Sequence, residues 1–407
     1  MLLREHKSAL ERDKLLVVER SLLKLLLINS SYCVQVPIIE MKILFGRHLS
    51  EVSGMLSDIH RYRKNGRRHA STASNRYPSQ ILGDFPIEIA GTTRCVSYLQ
   101  TIYQEVLTSL DDLVVSENAN NIEGNLNRLT AKLICSMRST ISRCVTSLRS
   151  ASELHPDVKI AFTDWIWNGV PKSVMCDPRL QPEKARRIER FEPNAEIASR
   201  YHRLLVCTEI PTIEACAHNI ACSPGMPLAF IVDMANQAAD EANHADACLQ
   251  VIRASGFDVG DFEAAYGELW HLTHDKPLDL RLALHQRVGE TLGINSASWR
   301  VHFYKGMQRQ DLADLEYTML QEEIMHVATG TRWMDYLCRN DPERRAALLS
   351  DAIAIWHAEA NASICGAQKY PVDRVSLRLA GYTELEIATL VESTKHRVRL
   401  QSWTPTY

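Results

Sequence analysis

The sequence predicts an all-α protein. It is divided into an N-terminal helical domain over 1–152, a linker over 153–193, a four-helix bundle over 194–340 and C-terminal helices over 341–407 that pack on the bundle. Three observations predict this. Apolar residues recur at spacings of three and four through long segments, as one face of a helix requires. No segment shows the two-residue alternation of a half-buried strand. Two Glu-x-x-His pairs, Glu241–His244 and Glu323–His326, each fall inside a long helical segment, where residues three apart share a face.

Residues 8–64 read as two helices parted by a turn around Asn29–Pro37. Residues 65–90 are polar, basic and broken by Pro and Gly, which makes them a linker or loop. A second helical hairpin covers 93–116 and 122–152, and 153–193 is a Pro-bearing connection. Four long helices follow near 194–221, 226–255, 278–304 and 309–338, the first two parted by Cys222-Ser223-Pro224-Gly225. A further helix covers about 342–367, and 371–400 holds two short helices with Thr383 as the N-cap of the second.

The Glu-x-x-His pairs gain meaning from two further carboxylates. Glu209 precedes Glu241 by 32 residues and Glu290 precedes Glu323 by 33. A hairpin of two helices of about 20 residues returns to the same height after about that many residues. The gap of 49 from Glu241 to Glu290 fits one long crossover. A bundle that holds two iron or manganese ions takes two Glu-x-x-His motifs and one further Glu from each remaining helix. The candidate ligands are therefore Glu209, Glu241, His244, Glu290, Glu323 and His326. Carboxylate and imidazole suit iron or manganese, and four carboxylates balance two divalent cations. With fifteen His in the chain, roughly one such motif is expected by chance. A third match, Glu268–His271, sits in the crossover among Gly260, Gly267 and Pro277, has no mirrored partner, and reads as solvated or capping.

Pro211 lies two residues after Glu209, so the first metal helix is expected to kink or to start there, with Glu214 as a reserve ligand at a gap of 27. Asp240 and Glu322 are candidates to accept a ring N–H from a ligand histidine, although neighbouring helix positions point about 100° apart and either side chain can equally face solvent. Tyr304, Tyr317 and Trp333 lie on or beside the metal helices and read as core packing. Glu19 precedes Glu51 by 32 residues, but position 54 is Gly. The N-terminal half is either a degenerate bundle without its metal set or a set of amphipathic helices with surface Glu.

The composition is that of an ordinary globular protein: 23% charged residues and a formal net charge of −3. This argues against a dedicated nucleic-acid or membrane binder. The longest apolar run, Leu22–Ile28, is short and contains Lys24. Eleven Cys carry no Cys-x-x-Cys pair and read as reduced thiols of a cytoplasmic protein.

The segments CTEIPTIEA (207–215), DEANHAD (240–246), RVGETLGIN (287–295), QEEIMHVATGTRW (321–333) and LRLAGYTELEI (377–387) resemble the ferritin-like di-iron carboxylate superfamily. Within it, 195–395 is most similar to a bacterial ferritin-like family of unknown function that neighbours the tRNA isopentenyladenosine hydroxylases. The resemblance covers about half of the chain. It implies the same six ligands, a ferritin-like bundle, and a non-haem di-iron oxygenase or oxidase that activates O2 to oxidise or hydroxylate a small organic substrate. The implied cofactors are two iron ions, or a manganese–iron pair, with O2 as co-substrate. Expected partners are that small molecule, an electron donor and a second copy of the chain, with neither membrane nor nucleic acid. One departure is Cys207, where the family's first motif usually has a His two positions before the Glu. Two alternative functions are an iron-handling ferroxidase and a tRNA-modifying hydroxylase, for which the basic run Arg61–Arg68 would supply phosphate contacts.

Overall fold

The computed structural model describes residues 2–65, 92–118, 126–155, 174–181, 192–223, 225–264, 266–359 and 370–398. Among them every regular element is helical and no strand occurs. The helices are α1 (Leu2–Gln35), α2 (Ile39–Asn65), α3 (Thr92–Asn118), α4 (Leu126–Leu154), α5 (Pro193–Leu204), α6 (Ile210–Ala221), α7 (Leu228–Ala254), α8 (Glu268–Thr273), α9 (Leu278–Leu282), α10 (Glu290–Gly306), α11 (Gln310–Leu337), α12 (Pro342–Glu359), α13 (Arg374–Leu379) and α14 (Glu384–Val398). Two π-helical turns, Leu205–Glu209 and Ala283–Gly289, join α5 to α6 and α9 to α10. The loop expected over 65–90, apart from its first residue, lies outside the described residues, as do most of the connection over 153–193 and the end of the helix expected to reach 367. No described helix is long and apolar enough to cross a membrane.

The chain forms two compact units: Met1–Arg179 with Cys216–Asp246, and Leu180–Ala215 with Ala247–Tyr407. The boundaries at 215/216 and 246/247 fall inside the continuous helices α6 and α7.

In the first unit, α1 packs on α2 and α3, and α4 packs on α2 and α3, so each of these four helices packs on two of the others. The second half of α1 is buried nearly all round, including Asn29, Ser30 and Ser31. The turn expected around Asn29–Pro37 is confined to residues 36–38, because α1 continues to Gln35. Asn29 Nδ2 and Ser30 Oγ donate to the carbonyls of Leu25 and Leu26, four residues back, at 3.0 and 2.8 Å. These polar residues thus satisfy themselves within the helix instead of ending it. The true end is fixed by the fully buried Lys42, whose ammonium donates to the carbonyls of Cys33 and Val34 at 2.9 and 3.0 Å. Those last-turn carbonyls have no helical donor and favour a cation. The opposite charge preference holds at the start of α2, where Asp177 Oδ2 accepts from Ile39 N at 3.1 Å. Arg179 then bridges Asp177 and Glu40. Arg47 of α2 bonds Asn243 and Asp246 of α7, at 3.0 and 2.8 Å.

In the second unit, α10 and α11 form the principal hairpin, and α12 packs against the second π-turn. The tail begins with Asp373, whose carboxylate caps α13 by accepting from Ser376 N at 3.1 Å. The predicted cap at Thr383 is present as a reciprocal box. Thr383 Oγ1 accepts from Glu386 N at 3.2 Å, and Glu386 Oε2 accepts from Thr383 N at 2.8 Å.

His202 on α5 gives this unit an acid limit. Its Nε2 accepts from Gly260 N at 3.0 Å, and burial pushes its pKa down to about 4 although Asp258 and Asp261 pull it upward. Folded His202 therefore stays neutral while the unfolded chain takes up a proton below about pH 6.5. The stability held above that pH is lost as pH falls toward 4, by about 3 kcal/mol at most. His202→Gln is expected to flatten this part of the stability–pH curve. Denaturant unfolding at pH 7, 6, 5 and 4 checks it.

Candidate metal centre

Glu209 is the last residue of the first π-turn, Glu290 follows the second, Glu241 and His244 lie on α7, and Glu323 and His326 lie on α11. All six side chains belong to residues only 1–4% exposed. Charged side chains are rarely buried so completely without a partner of opposite charge. Their ligand atoms fall into two groups, Glu209, Glu241, His244 and Glu323, and Glu241, Glu290, Glu323 and His326. Within each group all four atoms lie within 4.8 Å of one another, close enough to hold one metal ion. Glu241 and Glu323 belong to both groups. Each histidine also faces the Glu one turn before it: His244 Nδ1 lies 3.2 Å from Glu241 Oε2, and His326 Nδ1 lies 3.8 Å from Glu323 Oε2.

Both single-Glu helices widen at the site. Ile210 N–H bonds the Leu205 carbonyl and Glu290 N–H bonds the His285 carbonyl, each five residues back. Such turns insert one residue into a helix and re-aim the side chains that follow. The first has a cause in the sequence. Pro211 has no N–H, and its ring would strike the carbonyl of Cys207 in a regular helix. The helix therefore does not start at Pro211 but passes it by way of a π-turn, the kind of irregularity at which helices bend. The second π-turn contains no proline and has no such signature.

Spacing did not reveal two other neighbours. His285 Nε2 lies 3.0 Å from Glu290 Oε1. Five residues is off-face in an α-helix, but it is the hydrogen-bonding step of a π-turn. Gly293, one turn after Glu290, faces the carboxylate of Glu323. A Cβ built there would stand 3.0 Å from Glu323 Cδ and Oε2. At that distance the carboxylate would have to give way by a few tenths of an ångström. Gly293→Ala is expected to push the flexible end of Glu323 aside, weakening metal binding at least tenfold while helicity is kept. Metal titration beside circular dichroism checks this.

The other candidates fall elsewhere. Glu214 is buried but in neither group, and its Oε1 accepts from the Tyr266 hydroxyl. His271 is exposed on the six-residue α8, and Glu268 is half-buried. Asp240 and Glu322 are half-buried. Tyr304 and Trp333 are core residues, as expected, whereas Tyr317 is 54% exposed and packs in no core. Among the described residues no group of metal-ligating side chains occurs in α1–α4. Cys207 is partly exposed and Cys216 and Cys248 are buried, and none of the three belongs to either group.

The donor set fits a pair of hard or borderline divalent ions: each group offers three carboxylates and one imidazole, with no thiolate. The glycine notch at Gly293 reserves space for one of the shared carboxylates.

Comparison with known proteins gives a family and no activity. An uncharacterized protein of Haemophilus influenzae (strain ATCC 51907 / DSM 11121 / KW20 / Rd) is 33% identical over 119 residues, which is 28% of this chain and 40% of that protein. The match thus spans well under half of that relative's length. No solved structure matches. Residues 143–388, more than half of the chain, match the family described as "Protein of unknown function (DUF455)", and the protein belongs to that family.

Proposed function

We propose that the protein is a non-haem di-iron oxygenase or oxidase built on a ferritin-like bundle, which uses O2 to oxidise or hydroxylate a small organic molecule. The observation that supports this is the pair of overlapping buried groups with Glu241 and Glu323 in common. Two shared carboxylates suit two adjacent ions, with Glu209 and His244 serving one, and Glu290 and His326 the other. Two ferrous ions, if held by these residues, would supply two electrons for the reduction of dioxygen.

The chain's own contribution is to hold and exclude. Four carboxylates neutralise two divalent cations, so an occupied site carries little net charge into the interior. Burial of all six residues keeps bulk water from the ions and from whatever reacts beside them. His285, 3.0 Å from Glu290, stands where its imidazole would help to orient that carboxylate.

The test is anaerobic loading with ferrous iron followed by exposure to O2. The reading predicts rapid O2 uptake with a ferric absorption band, and loss of both in His326→Ala. Full iron loading without O2 uptake contradicts it. Continued accumulation of iron far beyond two per chain would instead mark an iron-handling protein.

A further inference from the structure

We propose that the C-terminal segment is a latch that aims Glu290, with Tyr382 as the positioning residue. The inference rests on the metal-centre reading above and assigns a role to the LAGYTELE motif. Tyr382 is buried, and its hydroxyl reaches both sides of Glu290. It donates to the carbonyl of Arg287, three residues before that glutamate, at 2.5 Å, and lies 2.8 Å from Thr291 Oγ1, one residue after it. Both contacts grip the junction where the π-turn Ala283–Gly289 becomes α10. A π-turn is a costly irregularity that surrounding contacts must hold in place.

The same tyrosine is itself held from three directions. Its ring lies against the guanidinium of the fully buried Arg287, 3.5 Å from ring centroid to Cζ. Arg287 is ion-paired to Glu386 at 3.1 Å, and Glu386 closes the capping box on Thr383, the residue after Tyr382. Gly381, with φ +84°, makes the turn that delivers Tyr382. A Cβ there would meet Thr331 Cγ2 at 3.3 Å, so the turn lies directly on α11. Thr331 Oγ1 in turn accepts from Arg287 and lies 3.0 Å from the carbonyls of both Ala380 and Val327. A segment about 90 residues downstream thus closes on the few residues that decide where Glu290 points.

Tyr382→Phe removes only the hydroxyl and leaves the ring on Arg287. The full-length protein is titrated anaerobically with ferrous iron, beside wild type and Glu290→Ala. The latch predicts two ions in wild type. In Tyr382→Phe one of them should bind at least tenfold more weakly, as in Glu290→Ala, while the other keeps its affinity and the melting temperature changes little. Two ions with wild-type affinities in Tyr382→Phe overturn the latch and leave the metal centre standing. A uniform weakening of both ions that follows a fall in thermal stability also overturns it, since that is what a merely structural contact does. Absence of bound metal in wild type overturns the metal-centre reading, and the latch with it.

Discussion

Replacing Glu323 by alanine is expected to empty both proposed metal positions, whereas replacing Glu209 or Glu290 should empty one. The asymmetry follows from the two groups of ligand atoms: Glu323 belongs to both, Glu209 only to the first and Glu290 only to the second. Bound metal should fall from two per chain to near zero in Glu323→Ala, and to about one in Glu209→Ala or Glu290→Ala. A stability readout separates ligand loss from misfolding. An ion present at 100 times its dissociation constant stabilises the folded chain by about 2.7 kcal/mol. Wild type should therefore melt well above its metal-free form. Glu323→Ala should melt at one temperature with or without metal while keeping its helical signal. Elemental analysis and paired thermal melts measure both. Equal loss in all three variants would remove the basis for treating Glu323 as shared.

Gly330→Ala is expected to destabilise the fold by about 1–3 kcal/mol through overpacking. Alanine is the better helix former by about 1 kcal/mol, so a gain would follow if the site were open. It is closed: a Cβ at 330 would stand 2.4 Å from the Cβ of Gln286, itself fully buried in the second π-turn. A Cβ cannot swing aside as a side-chain end can, so α11 and the π-turn must part, and the clash outweighs the propensity. The contrast with Gly293→Ala is direct, since there the neighbour is the mobile end of Glu323 and the loss falls on metal binding. For a unit of this size the melting temperature should drop by about 2–4 °C per kcal/mol. Thermal denaturation of the metal-free protein gives the number, and an unchanged or raised value would show that the close approach is absent in solution.

The helical class was legible because amphipathic spacing is local, and the hairpin gaps of 32 and 33 carried the vertical register of the six residues that the fold draws into two groups. What was not legible depends on geometry that spacing assumes away. A gap counts residues as if every turn were α-helical, so neither π-turn could be seen, although Pro211 marked the first as irregular. His285 was invisible for the same reason, being five residues from Glu290 and off its face until the turn widens. Arg287 and Tyr382 were beyond reach in another way, because a contact across 95 residues leaves no period in the sequence. The end of α1 was misplaced because Asn29 and Ser30 read as turn formers, while in the core they bond their own helix.

Anaerobic ferrous titration of the full-length wild-type protein, with bound iron counted after removal of excess, tests the metal centre most directly. Two ions per chain, retained through desalting, is the predicted result. Fewer than one, or binding that persists undiminished in Glu323→Ala, would contradict it.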